Sequence, residues 1–151
     1  MQHRVELRVE LVDWLEAEPV IRAIREAVFI SEQAVPEELE WDGLDPLCTH
    51  ALAWNDLGDP IGTARMQAGG TIGRMAVLKD WRGRGVGRAL LQTLLELAAR
   101  QGLSRVTLAA QTHALGFYEQ AGFHVVGDPF MDAGIPHRLM VRDLLLPPAG
   151  P

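Results

Sequence analysis

The chain has 151 residues, 48% of them hydrophobic, and a formal net charge of −6, which suits one domain with its own core. No run approaches the roughly 20 apolar residues of a membrane span, the first residues alternate polar and apolar unlike a secretory leader, and the lone Cys48 forms no internal disulfide. The chain therefore reads as cytoplasmic, with no membrane partner, and its acidic balance argues against nucleic acid, which demands a basic face.

Residues 4–12 alternate, with Val5, Leu7, Val9 and Leu11 on one face, and predict an opening strand. Val20, Ile21, Ile24, Ala27 and Val28 recur at helical spacing and predict a helix from Pro19 to Ser31. Pro36 interrupts, and the acidic segment through Glu40 predicts a second helical turn. Residues 48–54 and 60–67 read as strands joined by the turn from Asn55 to Pro60, and Gly69-Gly70 makes a hairpin into a strand at 71–78. Val86 to Arg100 is the clearest helix, with a stripe of Val86, Ala89, Leu90, Leu94, Leu97 and Ala98 widened by Leu91 and Leu95, and Gly102 closes it. A strand at 105–110, a short helix at 115–120 ended by Gly122, and strands at 123–126 and 136–142 complete the order. One domain over 1–146 is expected, with a flexible tail at 147–151. Strands and helices in this order predict an α+β or α/β arrangement around one mixed sheet.

The charge is uneven. Residues 1–60 carry 14 Asp/Glu against 4 Lys/Arg, whereas residues 61–151 carry 6 against 10. The acidic part is a candidate field for a cationic substrate. The basic part contains Arg82-Gly83-Arg84-Gly85-Val86-Gly87, between an apolar strand and the long helix. A glycine-rich turn at a helix N-terminus offers converging N–H groups and a partial positive charge to phosphate. A P-loop is excluded, because Lys79, the only lysine, precedes the turn and no Ser or Thr follows it. A dinucleotide fingerprint is excluded as well, since its last glycine would fall on Arg88 or Leu90.

What remains, Arg82-x-x-Gly85-x-Gly87, resembles the signature of the GNAT acetyltransferase superfamily. Phe117-Tyr118-Glu119-Gln120-Ala121-Gly122-Phe123 resembles its Phe-Tyr-x-x-x-Gly-Phe motif. The stretch from Val28 to Pro36, with Glu40, Asp42-Gly43, Asp45 and His50, is similar to the ElaA/YjcF-like branch, as is Ala133 to Met140. The resemblance covers most of residues 20–142. It implies a GNAT-like three-layer fold, with a mixed, mostly antiparallel sheet of about seven strands flanked by helices.

It also implies acetyl-CoA as co-substrate, with no metal, and N-acetyl transfer to a primary amine of a small molecule by direct attack in a ternary complex. A CoA-binding sensor and a protein or peptide acetyltransferase share the same turn and stay open as alternatives. By the resemblance, the turn and helix start (Arg82, Gly83, Arg84, Gly85, Val86, Gly87 and Arg88) hold the diphosphate, and Gly85 and Gly87 are small so that phosphate reaches the N–H groups. Met75, Ala76 and Val77 offer strand main chain to the pantetheine, with an N–H near Val77 polarising the thioester. Gln111 stands where many relatives carry an asparagine touching the cofactor. Tyr118, the only tyrosine, matches the thiolate-protonating residue, and Glu32 matches a carboxylate near the amine that serves as base. Glu32, Trp41, His50 and His137 are the candidates for acceptor binding, with Asp42, Asp45 and Glu40 as candidates to hold an ammonium group. The resemblance allows a homodimer through the C-terminal strands.

Overall fold

Asp13 decides where the first helix begins. In the computed structural model, which describes residues 7–144, its side chain accepts a hydrogen bond from the Leu15 N–H at 3.4 Å and caps α1 (Trp14–Arg25). The expected strand at 4–6 and tail at 147–151 lie outside the described residues. The helix runs through Pro19 rather than starting there. Trp14, Ala17, Ile21, Ile24 and Val28, spaced by three and four, form one buried stripe. Burying Ile21, Ile24 and Val28 at about 1.5–3 kcal/mol each outweighs the cost of roughly 3 kcal/mol for an interior proline. Beyond Arg25 the coil widens into a π-helical stretch, Glu26–Glu32, in which the Gln33 N–H reaches back five residues to the Val28 carbonyl at 3.2 Å. A short α2 (Glu37–Glu40) follows Pro36.

Seven strands, β1 (Arg8–Val12), β2 (Thr49–Trp54), β3 (Pro60–Met66), β4 (Thr71–Val77), β5 (Arg105–Gln111), β6 (His124–Asp132) and β7 (Ile135–Asp143), form one sheet in the order β1-β2-β3-β4-β5-β7-β6. All neighbours are antiparallel except β4 and β5. This is the mixed, mostly antiparallel α+β sheet the sequence predicts. On one face lies α3 (Val86–Arg100), burying Val86, Leu90, Leu91, Leu94, Leu95 and Ala98, with Ala89 and Leu97 half-buried at the stripe's edges. On the other face α1 packs over Leu52 and Ala76. The short α4 (Leu115–Gln120) follows β5. None of the described helices is long and apolar enough to cross a membrane.

β6 runs six residues past the expected end at Val126. Gly127 and Pro129 look like a stop, but they fall in a register shift on an edge strand. There a proline costs no ladder bond and a positive-φ glycine fits the bulge.

Two features of β4 open the sheet. β4 and β5 pair only at Thr71–Thr107 and Ile72–Leu108. Between the pairs Thr63–Ala76 and Arg65–Gly73, two residues of β4, Arg74 and Met75, stand against the single Ala64 of β3. Arg74 takes a left-handed φ of 49° in this bulge. The bulge twists β4 locally, and β5 stays paired with β7 as far as Gln111–His137. The strands therefore part.

Candidate active site

The parted strands frame a cleft of about 990 Å³ that reaches from the start of α3 to the segment around α2. At the α3 end, Gly83 and Gly85 have φ of 74° and 86°, and no side chain caps the helix. The first bond of that turn runs from the Ala89 N–H to the Gly85 carbonyl at 3.0 Å. The N–H groups of Val86, Gly87 and Arg88 thus find no protein acceptor among the described residues. All three residues line the cleft, with Arg82, Gly83 and Gly85. Arg84 does not line it: its guanidinium lies over the Trp81 ring at 5.0 Å.

The two glycines expected to serve phosphate answer different needs. A Cβ on Gly85 would meet nothing within 4 Å, so that glycine supplies backbone conformation and open space. A Cβ on Gly87 would lie 3.3 Å from Phe117 Cζ, so that glycine lets the Phe117 ring close against the helix.

The edge of β4 presents its main chain to the opening. Leu78 N–H donates to the Ile61 carbonyl at 2.9 Å, and antiparallel alternation then turns the Val77 N–H and C=O away from β3. The Val77 carbonyl is taken by Arg82 Nε at 3.0 Å. Met75 and Val77 line the cleft, while Ala76 is buried in the cluster under α1.

Arg82 also holds both carboxylate oxygens of Glu32, at 2.9 and 2.8 Å. Glu32 is not among the lining residues, but its neighbour Gln33 is, and accepts a bond from Gln111 Nε2 at 2.9 Å. Adjacent residues at the end of the π-helical stretch therefore reach both lips of the opening, one beside β4 and one at the end of β5.

Tyr118 lines the cleft from α4, with its hydroxyl 3.8 Å from Met75 Sδ and its ring edge-on to Phe117 and Phe123. Burial pushes its phenol up to about 12. His137 lines the cleft as well, its Nδ1 2.7 Å from the Ile135 carbonyl and its ring stacked on Phe130. The other two acceptor candidates lie elsewhere. His50 is buried against Trp14, with Nε2 2.9 Å from the Asp45 carbonyl, and burial holds its pKa below the ordinary value. Trp41 stacks with the guanidinium groups of Arg22 and Arg25, at 4.4 and 4.8 Å, outside the cleft.

Glu40, Asp42 and Asp45, candidates to hold an ammonium group, are instead committed to arginines. Arg25 Nε donates to Glu40 Oε2 at 2.7 Å and its Nη1 to Asp45 Oδ1 at 2.6 Å. Arg65 Nη1 donates to the same Asp45 oxygen at 2.8 Å, and its guanidinium grips Asp42. Arg74 closes the circuit, with Nη2 3.3 Å from Asp42 Oδ2 and Nε 3.4 Å from Glu40 Oε2. Six charges alternate in a ring. The hydrogen bonds from Arg65 hold the Asp42 carboxyl well below the usual range, whereas burial pushes Glu40 up against the pull of Arg25. Arg25 could have been found from the sequence: it falls beside the buried stripe of α1, where an arginine demands carboxylate partners. The cleft itself is lined by Arg65, Arg74, Arg82, Arg88 and Arg142 against only Glu40 and Asp132. Glu40, Asp42 and Asp45 are therefore spent within the protein and add no free negative charge to the cleft. Among the described residues no group of three or more His, Cys, Asp or Glu is placed to hold a metal ion.

A family model described as an acetyltransferase (GNAT) domain matches residues 16–144. The chain is 41% identical over 124 residues to the uncharacterized N-acetyltransferase YjcF of Bacillus subtilis, covering 80% of this chain and 88% of that one. It is 32% identical over 130 residues to Escherichia coli ElaA, covering 81% and 84%. The crystal structure of ElaA matches with a TM-score of 0.77 over 91% of this chain and 99% of ElaA. An acyl-CoA N-acyltransferase from Pseudomonas aeruginosa, 30% identical, matches with a TM-score of 0.77 over 91% and 99%.

Proposed function

The chain belongs to the GNAT acetyltransferase family, in the branch of ElaA and YjcF, and from that premise we propose that it acetylates a primary amine of a small molecule by direct attack within a ternary complex. It is an acyltransferase, and its family uses acetyl-CoA. The observation that carries the reading is the set of unpartnered N–H groups at Val86, Gly87 and Arg88, facing the same cleft as Tyr118. These groups fit a diphosphate, and the open space at Gly85 leaves room for one. Met75 and Val77 would hold the pantetheine, with Arg82, Arg88 and Gln111 at its flanks. Bound acetyl-CoA supplies a thioester whose acyl carbon accepts a nucleophile.

The chain's own residues then act on charge and protons. The Val77 N–H, turned into the opening, is the donor for negative charge on the acyl oxygen. The amine nitrogen bonds to the acyl carbon, the carbon–sulfur bond breaks, and the sulfur leaves with the electron pair. Tyr118 meets that sulfur with its hydroxyl. With a phenol at about 12, full transfer of its proton to a thiolate of ordinary pKa, about 8.5, is uphill. Its service is a hydrogen bond to the growing charge. Glu32, available once Arg82 turns to phosphate, takes the proton shed by the amine and gives it up to solvent, and a solvent proton completes the thiol.

The test is release of free thiol from acetyl-CoA in the presence of small amines, with peptides as a second set. Turnover of a small primary amine supports the reading. Thermal stabilisation by CoA with no turnover of any acceptor would make the protein a CoA sensor, and turnover of peptides alone would make it a protein acetyltransferase.

A further inference from the structure

The ring of alternating charges has one loose member. The links from Arg25 to Glu40 and Asp45, and from Arg65 to Asp45, measure 2.6–2.8 Å, whereas the contacts of Arg74 with Asp42 and Glu40 measure 3.3 and 3.4 Å. Arg25 and Arg65 are buried, but the side chain of Arg74 is 25% exposed and lines the cleft. Its Nη2 carries all its bonds, to Asp42 and to the Leu39 and Glu40 carbonyls, at 3.2–3.3 Å. Its Nε is buried facing Glu40 Oε2 at 3.4 Å but makes no hydrogen bond, and its Nη1 has no hydrogen bond among the described residues. The backbone beneath it sits at the left-handed φ that arginine rarely adopts. A loosely tied, partly exposed cation on the wall of a cleft, with Nη1 protons that no protein group accepts, can receive a carboxylate.

We propose that Arg74 binds a carboxylate of the acceptor, so that the substrate is an amine carrying an acid group, of the amino-acid class. This rests on the acetyl-transfer reading and narrows it. The apolar side chains of Val28, Phe29, Val35 and Leu39 line the same cleft and suit an aliphatic body on that acceptor.

Three probes with one aliphatic body decide it: L-leucine, L-leucinamide and 3-methylbutylamine, each assayed by thiol release and by calorimetric titration into the CoA-saturated protein. The wild type is expected to prefer leucine over both others by at least about tenfold in kcat/KM, through KM, and to bind only leucine measurably. In Arg74→Gln that preference is expected to fall to within about twofold. Equal use of leucine and leucinamide by the wild type would overturn the proposal, whether or not the variant folds. So would an undiminished preference in a folded Arg74→Gln. If the amide and the plain amine turn over but leucine does not, only this inference falls. If no amine turns over while CoA binds, the acetyl-transfer reading falls with it.

Discussion

Arg82 holds Glu32 through two parallel hydrogen bonds, Nη1 to Oε2 at 2.9 Å and Nη2 to Oε1 at 2.8 Å, while its Nε donates to the Val77 carbonyl at 3.0 Å. One side chain thus joins the end of the π-helical stretch, the edge of β4 and the turn before α3. Both partners are partly exposed, so the pair contributes about 0–1 kcal/mol and a diphosphate at the helix start can compete for the arginine.

That competition gives two variants opposite signs. Arg82→Gln is expected to raise the Kd for CoA about tenfold by removing a charge-assisted donor. Glu32→Gln is expected to lower it, because Arg82 is released beforehand. Calorimetric titration of both variants checks this, and weaker binding in both would mark the pair as a purely structural tie.

Tyr118→Phe is expected to lower kcat about 100-fold with the KM for acetyl-CoA nearly unchanged. Because burial pushes the phenol up to about 12, it stays protonated through neutral and mildly alkaline pH. The ratio of wild-type to variant rates should then be flat from pH 7 to about 10. An alkaline limb near pH 9 that vanishes in the variant would contradict the assigned protonation state.

Asp45 accepts hydrogen bonds from two buried arginines, Arg25 and Arg65. Asp45→Asn leaves both facing a neutral group and is expected to destabilise the fold by about 3–5 kcal/mol. Urea denaturation measures this, and a loss below about 1 kcal/mol would show that the ring does not depend on that carboxylate.

The buried imidazole of His50 makes stability depend on pH. Its folded-state pKa is depressed by burial, so below about pH 6.5 the unfolded chain takes up a proton that the folded ring resists. The stabilisation is present above that pH and is lost on acidification toward the folded-state value. The stability difference between wild type and His50→Gln, read from urea curves, should shrink between pH 7.5 and 5.5. A constant difference would rule out this linkage.

Much of this arrangement is legible in the sequence. The stripe of α3 is long and regular, so its bounds, Val86–Arg100, follow from spacing alone. The turn before it announces itself through Gly83 and Gly85, whose positive φ and open surroundings no side chain would serve. Local signals mislead where tertiary packing overrides them. Pro19 looks like a helix start, yet the stripe beginning at Trp14 carries the helix through it. Gly127 and Pro129 look like a strand end, yet an edge position absorbs them. Charge is the hardest to read. Glu40, Asp42 and Asp45 are adjacent in sequence, but their partners come from α1, β3 and β4, so the ring exists only in the fold. His50 and Trp41 fail as cleft residues for the same reason: their contacts are made with α1.

The central claim is that the N–H groups at the start of α3 grip the diphosphate. Backbone amide NMR during a CoA titration tests it most directly. The account predicts that the resonances of Val86, Gly87 and Arg88 shift saturably and furthest in the chain, with downfield proton shifts from new hydrogen bonds. Binding of CoA that leaves those three resonances in place would contradict it.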